Sequence, residues 1–101
     1  MVYTIMSWEV QFTNRAFKQA QSLNKKVILI LQVLLSDLAR IGPAPGKEWH
    51  HYGKLHGKLG EDKRHCHLKA GKPTYVCCWE VYSLERKIEV YYVGTHEKAP
   101  Y

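Results

Sequence analysis

His65, His67 and Lys69 recur at every second position of the run Arg64-His65-Cys66-His67-Leu68-Lys69. Side chains alternate between the two faces of a strand, so these three share one face while Cys66 and Leu68 take the other. Successive groups on that face stand about 6.6–7 Å apart at the usual strand rise, a span that fits groups flanking a single phosphate. An imidazole can accept or give up a proton near neutrality, and a lysine stays cationic and can stabilise developing negative charge. Such a face is either a solvated surface or a site for acid–base chemistry on an anion. Arg64 points to the opposite face of a regular strand and ranks below Lys69 as a stabiliser.

A zinc site is the rival reading of His65-Cys66-His67 with Cys77 and Cys78. It fits poorly: neighbouring strand positions face opposite ways, and no Cys-x-x-Cys pair is present. No metal and no cofactor are expected, and the three cysteines read as small core residues.

The run at 64–69 needs a partner, and residues 74–81 (Thr-Tyr-Val-Cys-Cys-Trp-Glu-Val) supply a second strand across the breakers at 70–73. Before this hairpin, the alternation of Tyr3, Ile5, Trp8, Val10 and Phe12 reads as a first strand with one slip. Thr13 caps a short helix to about residue 23, in which Ala16, Phe17, Ala20 and Leu23 recur at helical spacing. Asn24 caps the main core helix over 25–41, ended by Gly42 and Pro43. Residues 44–61 read as a long loop carrying Trp49-His50-His51, Lys54, His56 and Lys58, too long for an inert connection. A last strand covers 87–93 and Gly94 ends it. The element order is therefore β-α-α-β-β-β in a single α+β domain over residues 1–101.

The 101 residues suffice for one core without help from metals or disulfides. A hydrophobic content of 46% with three Trp, seven Tyr and two Phe excludes a disordered chain. Fifteen Lys and Arg against nine Asp and Glu give a formal charge of +6, which calls for an anionic partner. Lys54, Lys58, Lys63, Arg64 and Lys72 concentrate that charge into a stretch able to follow phosphates, and Trp49 adds a π-face for a base. The longest apolar run, 27–31, is far short of a bilayer span. An odd cysteine count fits a reducing compartment, so a cytoplasmic protein with no membrane contact is expected.

The order of elements, the basic strand at 64–69, the run Tyr75-Val76-Cys77-Cys78-Trp79-Glu80-Val81 and the closing Val93-Gly94-Thr95-His96 with Tyr101 together resemble the RelE/ParE superfamily of bacterial toxins, on its RelE/HigB side. The resemblance implies a small twisted, largely antiparallel sheet packed against a helical hairpin. It implies cleavage of messenger RNA in the A site of the small ribosomal subunit, neutralisation by a cognate antitoxin protein, and a free toxin that is a monomer or weak dimer. Position by position, His65, His67 and Lys69 match the strand that supplies catalytic cations, His96 matches the basic residue after the last strand, and Tyr101 matches the C-terminal aromatic. Val76 stands where RelE carries an arginine.

Cleavage by attack of a ribose 2′-hydroxyl on the adjacent phosphate needs a base, an acid for the departing 5′ oxygen, and cationic donors. His65, His67 and His96 suit the first two roles, Lys69 the third, and Tyr101 a stacking or acid role. Two other readings stay open: a ParE-like inhibitor of DNA gyrase that does no RNA chemistry, and a non-catalytic RNA- or protein-binding member of the fold.

Overall fold

Thr13 and Asn24 set where the two helices begin. The Thr13 hydroxyl accepts from the Ala16 amide and the Asn24 side chain from the Val27 amide, each at 3.0 Å, satisfying donors that a helix start leaves unpaired. Helix α1 runs Asn14–Gln21 and helix α2 Lys25–Arg40. Gly42, at φ 121°, turns the chain out of α2 while lying against Trp8, whose indole nitrogen would stand 2.9 Å from an added Cβ. The computed structural model describes residues 7–101. Tyr3 and Ile5, read above as part of the first strand, lie outside the described residues.

Among the described residues five strands form one sheet in the order β1-β5-β4-β3-β2: β1 Glu9–Phe12, β2 Gly53–Lys54, β3 Lys63–Lys69, β4 Tyr75–Tyr82 and β5 Lys87–Thr95. A short 3-10 turn, His96–Lys98, follows β5. The pairings β2–β3, β3–β4 and β4–β5 are antiparallel, and β1 lies parallel to β5 with Glu9 opposite Lys87. The expected α+β architecture is therefore present, with two differences. The 44–61 segment contributes β2, a fifth strand, because Gly53 and Lys54 pair with His65 and Arg64 at the edge of β3. The last strand also passes through Gly94 to Thr95, since Val76 and Tyr75 of β4 still offer it partners there.

The helices cover one face of the sheet. Val27, Leu31, Leu34 and Leu38 of α2 and Ala16 of α1 pack on Cys66, Leu68, Cys77, Trp79, Val81, Ile88, Val90 and Val93. The opposite face has a smaller buried cluster of Val76, Cys78 and Tyr92, with Tyr91 and Ala99 against it. A register shift between Cys78 and Trp79 makes this possible: Cys78 faces Tyr92 while Trp79 faces Val90, so Tyr91 is the extra residue of a bulge and two consecutive tyrosines serve the second face. All three cysteines are buried. Among the described residues no helix is long and apolar enough to cross a membrane.

Candidate active site

The alternation expected of β3 is realised. Cys66 and Leu68 are buried in the helix-side core, and His65, His67 and Lys69 stand half-exposed on the other face. The rings of His65 and His67 lie 6.5 Å apart, as the rise of a strand requires. A second register shift between His67 and Lys69 moves Lys69 toward the following turn, and its ammonium lies 4.0 Å from where a Cβ on Gly71 would be. Gly71 has φ 131°, a conformation that leaves this approach to a residue without a side chain.

Two other segments close over the pair. The His67 amide donates to the carbonyl of His50 at 2.9 Å, which lays the segment before β2 along β3. His51 then stacks on His67, with ring centroids 4.1 Å apart and planes 25° from parallel. His51 adopts φ 57°, a left-handed backbone that costs a non-glycine residue about 1–2 kcal/mol. The segment is anchored on its other side by Trp49, whose indole N–H donates to Asp37 at 2.9 Å. From the far end, the His96 amide donates to the Thr74 carbonyl at 2.8 Å and brings the 3-10 turn against the β3–β4 turn. His96 meets His67 edge to face at 5.4 Å, and Tyr101 lies 5.9 Å from His96 and 4.7 Å from His65. Four imidazoles and one phenol, drawn from three segments distant in sequence, thus form one continuous set of rings.

The environment of His65 and His67 favours neutral bases. Burial holds the pKa of His65 below its ordinary value, helped by the charges of His96 and His51, and its Nδ1 is buried with no hydrogen-bond partner among the described residues. Burial likewise lowers His67, followed by the neighbouring His51, His96, His65 and His50. Tyr101 is pushed up to about 12, first by burial, and stays protonated through neutrality. The set therefore offers proton acceptors and a hydroxyl donor on rings whose neighbouring centroids lie 4.1–6.5 Å apart, with Lys69 and Lys72 nearby. The thiols offer no rival nucleophile, because burial raises Cys66 and Cys78 to about 12 and Cys77 also upward.

A cavity of about 590 Å³ opens beside this set, between His67 and His96 on one side and the 71–74 turn on the other. Solved structures with the same architecture include the archaeal RelE–RelB complex from Pyrococcus horikoshii OT3, at 21% identity and TM-score 0.74, covering 93% of this chain and 100% of that one. A metal-bound toxin from Helicobacter pylori matches at 19% identity and TM-score 0.66, covering 90% and 97%. The isolated E. coli RelE toxin matches at 20% and 0.62, covering 92% and 88%. The chain has the RelE-like fold. No protein-family model matches the sequence, and no curated protein matches it either.

On this RelE-like fold the other cations expected to meet RNA divide into two groups. Lys72 lines the cavity, and Lys54 and Lys58 are exposed on the β2 edge and the loop after it. Lys63 leans over the Tyr91 ring at 5.3 Å and pairs with Glu61 at 3.3 Å. Arg64 is instead a scaffold residue: its guanidinium makes two bonds to the Asp62 carboxylate and one to the Tyr52 hydroxyl, all between 2.9 and 3.0 Å. Trp49 is likewise tied to Asp37 and packed on the helix-side core, which removes it as an open stacking platform. Val76 belongs to the buried second cluster, so its position is part of the floor of the site.

Two residues of the site were not apparent from the sequence. His51 lies in a segment without strand or helix periodicity, and only the adjacent Trp49-His50-His51 hinted at a role. Glu97 follows His96 directly and lines the cavity. Among the described residues no group of three or more His, Cys, Asp or Glu is arranged to hold a metal ion.

Proposed function

We propose that this protein is the toxin of a type II toxin–antitoxin pair and an endoribonuclease that cleaves messenger RNA engaged in the ribosomal A site. The observation that carries the reading is the convergence of His51, His65, His67, His96 and Tyr101 on one face of a RelE-like fold. A binding protein has no need of four imidazoles gathered on one face. In the proposed reaction His67 takes the proton of the ribose 2′-hydroxyl. The 2′ oxygen bonds to phosphorus, the bond to the 5′ oxygen breaks, and that oxygen is protonated from His96 or Tyr101. The products are a 2′,3′-cyclic phosphate and a 5′-hydroxyl end. Lys69 and Lys72 stabilise the charge that builds on the phosphate, and His65 holds Tyr101 in place.

The proposed partners are ribosome-bound mRNA and a cognate antitoxin protein. The Pyrococcus neighbour is a complex with RelB, and exposed Phe17, Leu29 and Val33 leave apolar surface on the helices for a partner chain. Nothing in the proposed chemistry requires a metal or cofactor.

The test is primer extension on a defined mRNA with purified protein, with and without translating ribosomes, comparing wild type with His67→Ala/His96→Ala. Cleavage confined to ribosomes and lost in the double variant is the expected result. Cleavage of naked RNA would remove the ribosome from the mechanism. Absence of cleavage in both conditions would overturn the enzyme and direct attention to gyrase supercoiling.

A further inference from the structure

The cavity beside His67 and His96 has walls that phosphate binding does not explain. Its volume, about 590 Å³, falls in the range of small-ligand sites, about 300–1,000 Å³. Pro73 and the His96 imidazole give it flat, weakly polar sides, and Lys72 adds a cation. Thr95 and Glu97 complete the lining, and among the described residues Glu97 is the one acidic residue in it. The width is fixed. The Thr74 hydroxyl accepts from the Gly71 amide at 3.2 Å and donates to the Gly71 carbonyl at 2.9 Å, which locks the turn, and the bond from His96 to the Thr74 carbonyl ties the two walls together.

A carboxylate here is costly for an anionic ligand. Glu97 stands in a protein of formal charge +6 and next to the residue that would protonate a leaving group, where it weakens attraction for any phosphate. Glu97 also forms the partition toward a second groove that runs to Arg15. Among the described residues no hydrogen bond or ion pair holds its carboxylate on either side, so its two oxygens are free to accept. What a carboxylate recognises on a nucleotide is the N–H edge of the base.

We propose that this cavity is a nucleobase subsite for the nucleotide next to the cleaved bond, in which the Glu97 carboxylate selects guanine. The inference rests on the ribonuclease reading above and adds to it a specificity that the reading does not supply. Guanine presents N1–H and an N2 amino hydrogen side by side, the two parallel donors that match a carboxylate. Adenine and cytosine each offer one amino group, and uracil sets its single N–H between two carbonyls that the carboxylate repels. The base enters between Pro73 and His96, and its phosphate then lies toward His67 and Lys69. The expected order is guanine, then adenine and cytosine, then uracil.

The experiment compares wild type, Glu97→Gln and Glu97→Ala on ribosome-bound mRNAs that carry each base in turn on either side of the cut. The wild type should prefer guanine to uracil at one of these positions by roughly ten- to a hundred-fold, the discrimination of one bidentate contact. Both variants should bring the four bases to within about three-fold of one another, chiefly by lowering cleavage at guanine toward the rates at the other bases. An unchanged preference in Glu97→Gln would overturn the subsite. So would an equal loss at all four bases, which would mark Glu97 as part of the reaction or the fold. The same proteins are titrated with fluorescent 2′-O-methyl oligonucleotides of guanine or uracil, which bind but cannot be cleaved. Tighter binding of guanine that disappears in Glu97→Gln would support the subsite even if no RNA is cut, a result that separates it from failure of the nuclease reading. Equal binding of the two oligonucleotides by the wild type would remove it.

Discussion

Cys66 and His67 are neighbours on β3 and belong to different parts of the molecule. Cys66 is fully buried beneath α2 with Leu31, Leu34 and Leu38 close by, in a cluster that includes every buried residue of both helices. His67 is half-exposed above a cluster of only three buried residues, and is held by one backbone bond to His50 and by two other imidazoles. One face of the strand carries most of the free energy of folding, and the other carries titratable groups on which little of the fold depends. A change on the second face should therefore act on rate and a change on the first on stability.

His67→Ala should lower cleavage by about 10²–10⁴-fold, the usual contribution of a positioned acid or base, with the cooperative unfolding transition little moved. If His67→Ala instead unfolds the protein, the division between the faces fails. Leu34→Ala reverses the pattern. It leaves a cavity under the sheet, should cost about 2–5 kcal/mol in denaturant unfolding, and should leave the pH–rate profile of the folded fraction where it was. The pair of variants, measured by both assays, tests the division directly.

The helix-side face was the more legible in sequence, because it is built from local signals. Thr13 and Asn24 are strong caps, the apolar spacing of 27–38 is helical, and the breakers at 70–73 mark the hairpin. His65, His67 and Lys69 were legible too, since a period of two decides their common face whatever lies above it. What closes over them was not. His51 reaches His67 only through a left-handed backbone and a bond from His67 to His50, neither of which has a periodic signature. Strand β2 exists because β3 offers it an edge, and two residues carry no alternation of their own. Trp49 was misplaced because its partner, Asp37, is twelve residues away on α2. Arg64 could have been placed: Asp62 lies two positions earlier, on the same face of an extended chain, where a salt bridge is the simplest outcome.

The caps give an intermediate test. Asn24→Ala removes the acceptor for the Val27 amide and should cost about 1 kcal/mol, with cleavage per folded molecule unchanged. A change in rate beyond the change in folded fraction would mean that α2 bears on the site as well as on stability.

The smallest expected effect concerns pH, and it joins the two faces. His65 and His67 both have folded pKa values below the ordinary 6.5, chiefly through burial. As pH falls through 6.5 the unfolded chain takes up protons on these positions before the folded one does, so the unfolded state binds more protons and stability declines. The loss grows until pH passes the lowered folded values and then levels off. Above 6.5 both states are neutral at these residues and the contribution is fully present. The thermal midpoint should therefore fall between pH 7 and pH 5, and His65→Gln/His67→Gln should flatten that part of the curve without steepening any other. His51→Ala separates this from catalysis. It uncovers the His67 ring and removes a neighbouring charge, both of which raise the pKa of His67, so the acid limb of the cleavage profile should move to higher pH. An acid limb that stays in place would mean that neither His67 nor His65, both of which feel the charge of His51, accepts the proton.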